Sequence, residues 1–290
     1  ERFMSLLTFQ RLDEVIHKYD LILFDLWGVI IEGDTTYPGV VETINNMITK
    51  TNIMFLTNAP RPNFKVAQNL YQFGITNVIE EMVVTSGDIA RQMIKGHDSN
   101  LNAKIPKIYH LGEDRNEDIL TGCKHELTQD LNSADILLLS LYRDDHEDIN
   151  EFNQILKQAA DKKDLLTLCS NPDTTIPKHG VIRYCAGYFA EIIEKFGGEV
   201  IYTGKPKEVI YNFALQKHQN IQKDRILMVG DTFETDIMGA NISGIHSALV
   251  LSGNSATFHN MHESMEDKLF ALHKQAKKIG VMPSFVTSII

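Results

Sequence analysis

Residues 20–31 read DLILFDLWGVII. Four apolar residues, Leu21 to Phe24, run straight into a carboxylate, Asp25, with the only tryptophan, Trp27, two places on and Gly28 after it. A short continuous apolar run is the signature of a parallel strand buried on both faces. The pattern recurs: IMFL (53–56) ends at Thr57-Asn58, VIYT (200–203) at Gly204-Lys205, and RILMV (225–229) at Gly230-Asp231, after which HSALVL resumes a strand. The segments between carry helical spacing. Pro206 suits a first helical position, and Val209, Ile210, Phe213 and Ala214 then line one face. A short helix after Asp236 is expected to end near Gly244. Strand and helix alternating in this way predict an α/β fold with a doubly wound, Rossmann-like parallel sheet.

A different stretch lies between about residues 87 and 199, with strands of its own at KIYHL (107–111), ADILLLSL (134–141) and LLTLC (165–169), and a helix around 147–160. Its acidic run DDHED (144–148) reads as a solvated helix start. The expected organisation is a core domain in two parts, 1–86 and 200–290, interrupted by an inserted α/β domain, 87–199. The tail from about 263 reads as one more helix followed by a strand-like SFVTSII.

Composition narrows the function. At 290 residues, 43% apolar and a net charge of −10, the chain has material for two cores and is a poor electrostatic match for nucleic acid. An acidic protein that binds anions must do so locally, with a metal, a lysine or backbone amides. Cys123, Cys169 and Cys185 form no CxxC pair and no metal-ligand spacing, which suits a reducing compartment. No apolar run approaches the roughly 20 residues of a membrane span. The opening ERFMSLLTFQ lacks the features of a signal peptide. A soluble, cytoplasmic protein is expected.

Four strand ends carry Asp25, Thr57-Asn58, Lys205, and Asp231 with Asp236, where open α/β sheets bind ligands. Singly, each has an ordinary explanation as a turn, cap or surface residue. Together they form a chemically complete set: a carboxylate nucleophile, a hydroxyl, an amide and a lysine for phosphoryl oxygens, and further carboxylates for Mg²⁺. A Walker-A loop fails, because Pro206 follows Lys205 where a Ser or Thr is needed and the upstream glycine spacing is wrong.

In order, DLWGVI, LTNAPRP, GKPKEVIY and GDTFETDIMGA resemble the four motifs of the haloacid dehalogenase (HAD) superfamily. The long insert between the second and third resembles the α/β cap of its class IIA, NagD-like branch, which includes nucleotide and 4-nitrophenyl phosphatases. The resemblance implies a Mg²⁺-dependent phosphatase acting on a small phosphorylated metabolite (a sugar phosphate, nucleotide or aryl phosphate) through an aspartyl-phosphate on Asp25. It assigns Thr57 and Asn58 to phosphate binding and Lys205 to steadying nucleophile and phosphate. Asp25, Asp231, Asp236 and the Trp27 backbone carbonyl are the implied metal ligands. SNPDTTIP (170–177) resembles a cap loop that reaches the active site, so Asn171, Pro172 and Asp173 are candidate leaving-group contacts, although a plain Asn-Pro turn explains the same residues. The branch includes cap-mediated homodimers.

Trp27 departs from the pattern. Phosphatases of the superfamily carry a second Asp there, which protonates the leaving oxygen and later activates water. The indole N–H is a donor only and does neither. General acid–base help is typically worth about 10²–10⁴-fold. The departure leaves open a catalytically weak phospho-ligand binder or regulatory protein, or a phosphotransferase- or dehalogenase-type variant; retained Asp231 and Asp236 disfavour dehalogenation. The ring also reads as filler between core and cap. His259 and His262 lack the further ligand a zinc site needs, and Cys185 reads as a small buried residue.

Overall fold

The structure, a computed structural model, describes residues 6–100, 104–178 and 180–290; the first five residues of the opening segment read above lie outside the described residues. It divides into two compact units. One holds the described residues through Thr57 with Val66–Val84 and Tyr211–Ile290, and the other holds Asn58–Lys65 with Thr85–Ile210. Among the described residues no helix is long and apolar enough to cross a membrane.

The first unit is organised by a sheet ordered Phe285–Thr287, His246–Val250, Ile226–Gly230, Leu21–Phe24, Asn52–Thr57, Val83–Thr85. Leu21–Phe24 pairs in parallel with Ile226–Gly230 on one side and Asn52–Thr57 on the other, and the parallel pairing continues through His246–Val250 to Phe285–Thr287. The chain therefore starts in the middle, winds outward to one edge, then returns to wind toward the other. Burial follows strand parity. Ile22, Phe24, Ile53, Phe55, Leu227 and Val229 enter one apolar cluster with Ile44 and Leu70, while Leu249 and Val286 enter another with Phe233, Ile237, Leu272 and Ala276. Two faces each covered by apolar side chains require the near-continuous hydrophobic strands seen in the sequence. The expected tail helix is Met265–Ile279, capped at its start by Ser264, whose hydroxyl accepts from the Asp267 N–H, and its strand is Phe285–Thr287.

The second unit has its own sheet, ordered Ile201–Tyr202, Leu166–Cys169, Ile136–Ser140, Lys107–Gly112, Glu126–Leu127, all neighbours parallel. Alternate strand residues again feed two clusters, Leu137, Leu139 and Cys169 against Leu156 and Phe189, and Ile108, Ile136, Leu138 and Leu168 against Ile94 and Ile119. A three-stranded antiparallel sheet, Thr175–Lys178, Val181–Cys185 and Tyr142–Asp144, adjoins it in the chain. DDHED straddles the end of Tyr142–Asp144, and Asp148 caps the short helical turn Ile149–Phe152 that leads into the helix Asn153–Asp161.

Two readings are corrected here: the sheet that the strand expected at 200–203 joins, and the place of Pro206 relative to its helix. The strand expected at 200–203 is Ile201–Tyr202, and it pairs with Leu168–Cys169 of the insert, not with the core sheet. An apolar run shows that a strand is buried but not which sheet completes its hydrogen bonds. Residues 200–210 accordingly belong to the second unit, as do 58–65, so the expected boundaries at 86/87 and 199/200 do not coincide with the compact units. Pro206 is not a first helical residue either: it follows a cis peptide bond, and the helix begins at Glu208.

Gly239, in the helix Met238–Ser243, packs on the fully buried Tyr211, where an added Cβ would lie 2.4 Å from ring Cε2. Gly239→Ala is expected to lose about 1–3 kcal/mol of stability in urea unfolding through this overlap; an unchanged midpoint would show that the ring has room to move.

Candidate active site

In the first unit the switch point of the sheet falls between Leu21–Phe24 and Ile226–Gly230. The residues that leave these two strands at their carboxyl ends are Asp25 and Asp231, so winding direction alone brings two acids together. The Asp25 N–H continues the ladder by donating to the Val229 carbonyl at 2.9 Å, and one Asp25 carboxylate oxygen accepts from the Leu26 N–H at 2.8 Å. Asp236 lies in the turn of π-helix Phe233–Ile237 and folds back, its Oδ2 accepting from the N–H groups of Asp231 at 3.1 Å and Thr232 at 3.2 Å. The buried Tyr211 hydroxyl donates to the Asp236 carbonyl at 3.0 Å. The result is a buried triad in which one carboxylate oxygen from each of Asp25, Asp231 and Asp236 lies within 4.8 Å of the others.

Three carboxylates at that range repel unless a cation joins them. Their hard oxygen atoms converging on one point are the donor set of a small divalent metal. Close packing enforces the convergence. Gly28 has φ +79°, and a Cβ there would sit 2.1 Å from Asp231 Oδ2; Gly253 has φ +52° and would meet the same oxygen at 2.1 Å. Only glycine supplies that backbone conformation and that approach. Trp27, immediately before Gly28, is half-buried and bridges to Ile31, while the Gly28 N–H donates to the Ile31 carbonyl at 2.9 Å. Thr57, buried, ends the strand next to Leu21–Phe24.

The other candidates lie in the second unit, where the fold gathers them. The Asn58 side chain accepts from the Lys205 N–H at 2.7 Å and donates to the Lys205 carbonyl at 3.2 Å and to Asp173 Oδ1 at 2.9 Å. Asn171 Oδ1 accepts from the Asp173 N–H at 3.2 Å, which closes the loop. A Cβ on Gly204 would lie 2.3 Å from Asn58 Oδ1 and 2.9 Å from Pro172 Cδ, so residue 204 is held flat against the same cluster. Asn58 thus forms one hydrogen-bonded group with Lys205 and the 171–173 loop, each more than a hundred residues from it in sequence, and Lys205 is almost fully buried. Beneath the loop, Cys169 donates its thiol to the Asn171 carbonyl at 3.3 Å, and burial pushes both the Cys169 and Cys185 thiols well up. Neither is a nucleophile at neutral pH.

The loop Ser252–Ser255, after the strand His246–Val250, escaped sequence reasoning. Asn254 donates its N–H to Asp231 Oδ2 at 2.7 Å, and Ser255 donates its hydroxyl to the Asp231 carbonyl at 2.6 Å. Its signal was present: SGNS follows an apolar strand, at the position that made the other strand ends candidates. Tyr37 also joins this region, accepting from the Gly253 N–H at 3.3 Å; burial, and then the Glu32 carboxylate, push its hydroxyl up to about 12. His259 lies exposed on a helix and contacts Lys268 Nζ at 3.1 Å.

Comparison with known proteins gives this geometry a lineage. A family model described as haloacid dehalogenase-like hydrolase matches residues 19–244. Phosphoglycolate phosphatase 1A, chloroplastic, of Arabidopsis thaliana is 26% identical over 288 residues, covering 92% of this chain and 78% of that protein. The ribonucleotide monophosphatase NagD of Escherichia coli strain K12 is 25% identical over 238 residues, covering 81% of this chain and 88% of that one. Among solved structures, a haloacid dehalogenase-like hydrolase from Brucella suis 1330 superposes with a TM-score of 0.77 at 26% identity, covering 96% of this chain and 98% of that one. With four motifs in order, a switch-point carboxylate triad and a family match across most of its length, the chain belongs to the haloacid dehalogenase-like hydrolase family.

Proposed function

We propose that this protein is a Mg²⁺-dependent phosphatase of small phosphomonoesters that works through an aspartyl-phosphate on Asp25. The convergence of Asp25, Asp231 and Asp236 carries the reading. An Asp25 carboxylate oxygen attacks phosphorus, the ester P–O bond breaks, and its electron pair leaves on the ester oxygen. Water then attacks the same phosphorus, releasing inorganic phosphate and restoring the carboxylate. Asp25, Asp231, Asp236 and the Trp27 backbone carbonyl are the proposed ligands of Mg²⁺. When bound, the ion neutralises charge on the phosphoryl oxygens. Thr57, Asn58 and Lys205 are proposed to bind those oxygens, and Asn171, Pro172 and Asp173 to meet the leaving group. The hydrogen bonds that tie Asn58 to both Lys205 and Asp173 support a common task for them. The names of the Arabidopsis and E. coli relatives, a phosphoglycolate phosphatase and a ribonucleotide monophosphatase, support a small phosphorylated metabolite as substrate.

Trp27 sets the substrate preference within this reading. Without a carboxylic acid at that position, leaving groups that are stable anions are favoured, and hydrolysis of the aspartyl-phosphate becomes slow. A second reading, a phospho-ligand binder with negligible turnover, rests on the same residue. It requires Mg²⁺-dependent binding of phosphorylated metabolites in calorimetry with no release of phosphate.

Hydrolysis of 4-nitrophenyl phosphate is expected to require Mg²⁺ and to fall to background in Asp25→Asn. Activity that survives this substitution removes Asp25 from the chemistry. Trp27→Asp is expected to raise kcat/KM, which reports the first, leaving-group step, by about 10²–10⁴-fold for alkyl phosphates, with a smaller gain for 4-nitrophenyl phosphate. Equal gains for both would mean that leaving-group protonation is not what the tryptophan lacks.

A further inference from the structure

We infer that Asn254 and Thr232 are positioning residues for the metal-binding carboxylate of Asp231, acting as a directional hydrogen-bond relay. The inference rests on the metal reading proposed above and gives a task to two residues that have none there: Thr232, inside the fourth motif, and Asn254, outside all four. Three bonds define the relay. Asn254 Nδ2 donates to Thr232 Oγ1 at 2.8 Å, Thr232 Oγ1 donates to Asp231 Oδ1 at 3.1 Å, and the Asn254 backbone N–H donates to Asp231 Oδ2 at 2.7 Å.

The direction follows from proton counting. An ionised carboxylate only accepts, so the single hydroxyl proton of Thr232 must point to Asp231. The hydroxyl can then only accept from its other neighbour, and the Asn254 amide supplies that donor. One asparagine thereby fixes both oxygens of Asp231, one directly and one through Thr232. Each carboxylate oxygen has about two lone-pair sites, so the single hydrogen bond that the relay gives each oxygen does not by itself fill it. The loop that carries Asn254 is held independently: Ser255 donates to the Asp231 carbonyl at 2.6 Å, Ser252 donates to the Gly28 carbonyl, and Gly253 and Gly28 approach so closely that a Cβ on Gly253 would meet Gly28 Cα at 2.4 Å. Asn254 itself is solvent-exposed, so its side chain is not needed to fill a core. Partners that orient metal ligands typically change metal affinity about 10–100-fold when removed.

The test is Mg²⁺ titration calorimetry on the full chain for the wild type, Asn254→Ala, Thr232→Val, the double variant and Thr232→Ser, with melting temperature in the absence of metal as the check on folding. The expected result is a dissociation constant raised about 10-fold or more in each of Asn254→Ala and Thr232→Val. The double variant should lose little beyond the larger single loss, because both substitutions break one chain of bonds. Thr232→Ser, which keeps the hydroxyl, should stay near the wild type. Affinities within about twofold of the wild type in both single variants would overturn the relay while leaving the metal site intact. A Thr232→Ser loss equal to that of Thr232→Val would overturn it too, since the hydroxyl would then be irrelevant. A wild type that binds no Mg²⁺ would overturn the metal reading and the relay with it.

Discussion

Mutual repulsion among Asp25, Asp231 and Asp236 is the constraint around which the first unit is arranged. With oxygens within 4.8 Å of one another, each ionised pair costs on the order of 3–4 kcal/mol at an effective dielectric of about 20. The fold opposes that cost with backbone donors. Leu26 N–H serves Asp25, the N–H groups of Asp231 and Thr232 serve Asp236, and Asn254 N–H serves Asp231. Such an arrangement is costly to keep for stability alone, since apolar side chains would pack there more cheaply. A divalent cation turns the same three charges from a liability into a binding site.

The sheet topology explains why these acids meet. Starting in the centre with Leu21–Phe24 and returning with Ile226–Gly230 as its neighbour, the chain places the two acids that follow those strands side by side. The two glycines Gly28 and Gly253 then let backbone press against Asp231, which restricts where its carboxylate can point. Asn58 plays a comparable organising part in the second unit, with Lys205 on one side and Asp173 on the other.

Much of this was legible in the sequence because apolar runs and terminal acids are local features. LILF, IMFL and RILMV are core strands, as their continuous hydrophobicity required, and the tail helix and strand appear where expected. The run at 200–203 was legible as a strand but not as a member of the insert's sheet, because two residues of pairing with Leu168–Cys169 leave no mark on Ile201 and Tyr202 themselves. The Ser252–Ser255 clasp was missed for a related reason. Its contacts to Asp231 come largely from backbone groups and from glycine proximity, which residue chemistry does not announce. Hydrogen bonds between Asn58 and Asp173 likewise depend on a loop reached after 115 residues.

The central claim is that Asp25 carries the phosphoryl group. Because Trp27 cannot activate water, the covalent species should break down slowly and accumulate. The most direct measurement is therefore acid quenching of the wild-type protein during turnover of an aryl phosphate carrying radiolabelled phosphate, followed by peptide mapping. The account predicts label that is retained in acid, released by neutral hydroxylamine and confined to the peptide containing Asp25. Turnover with no label trapped on that peptide would contradict it.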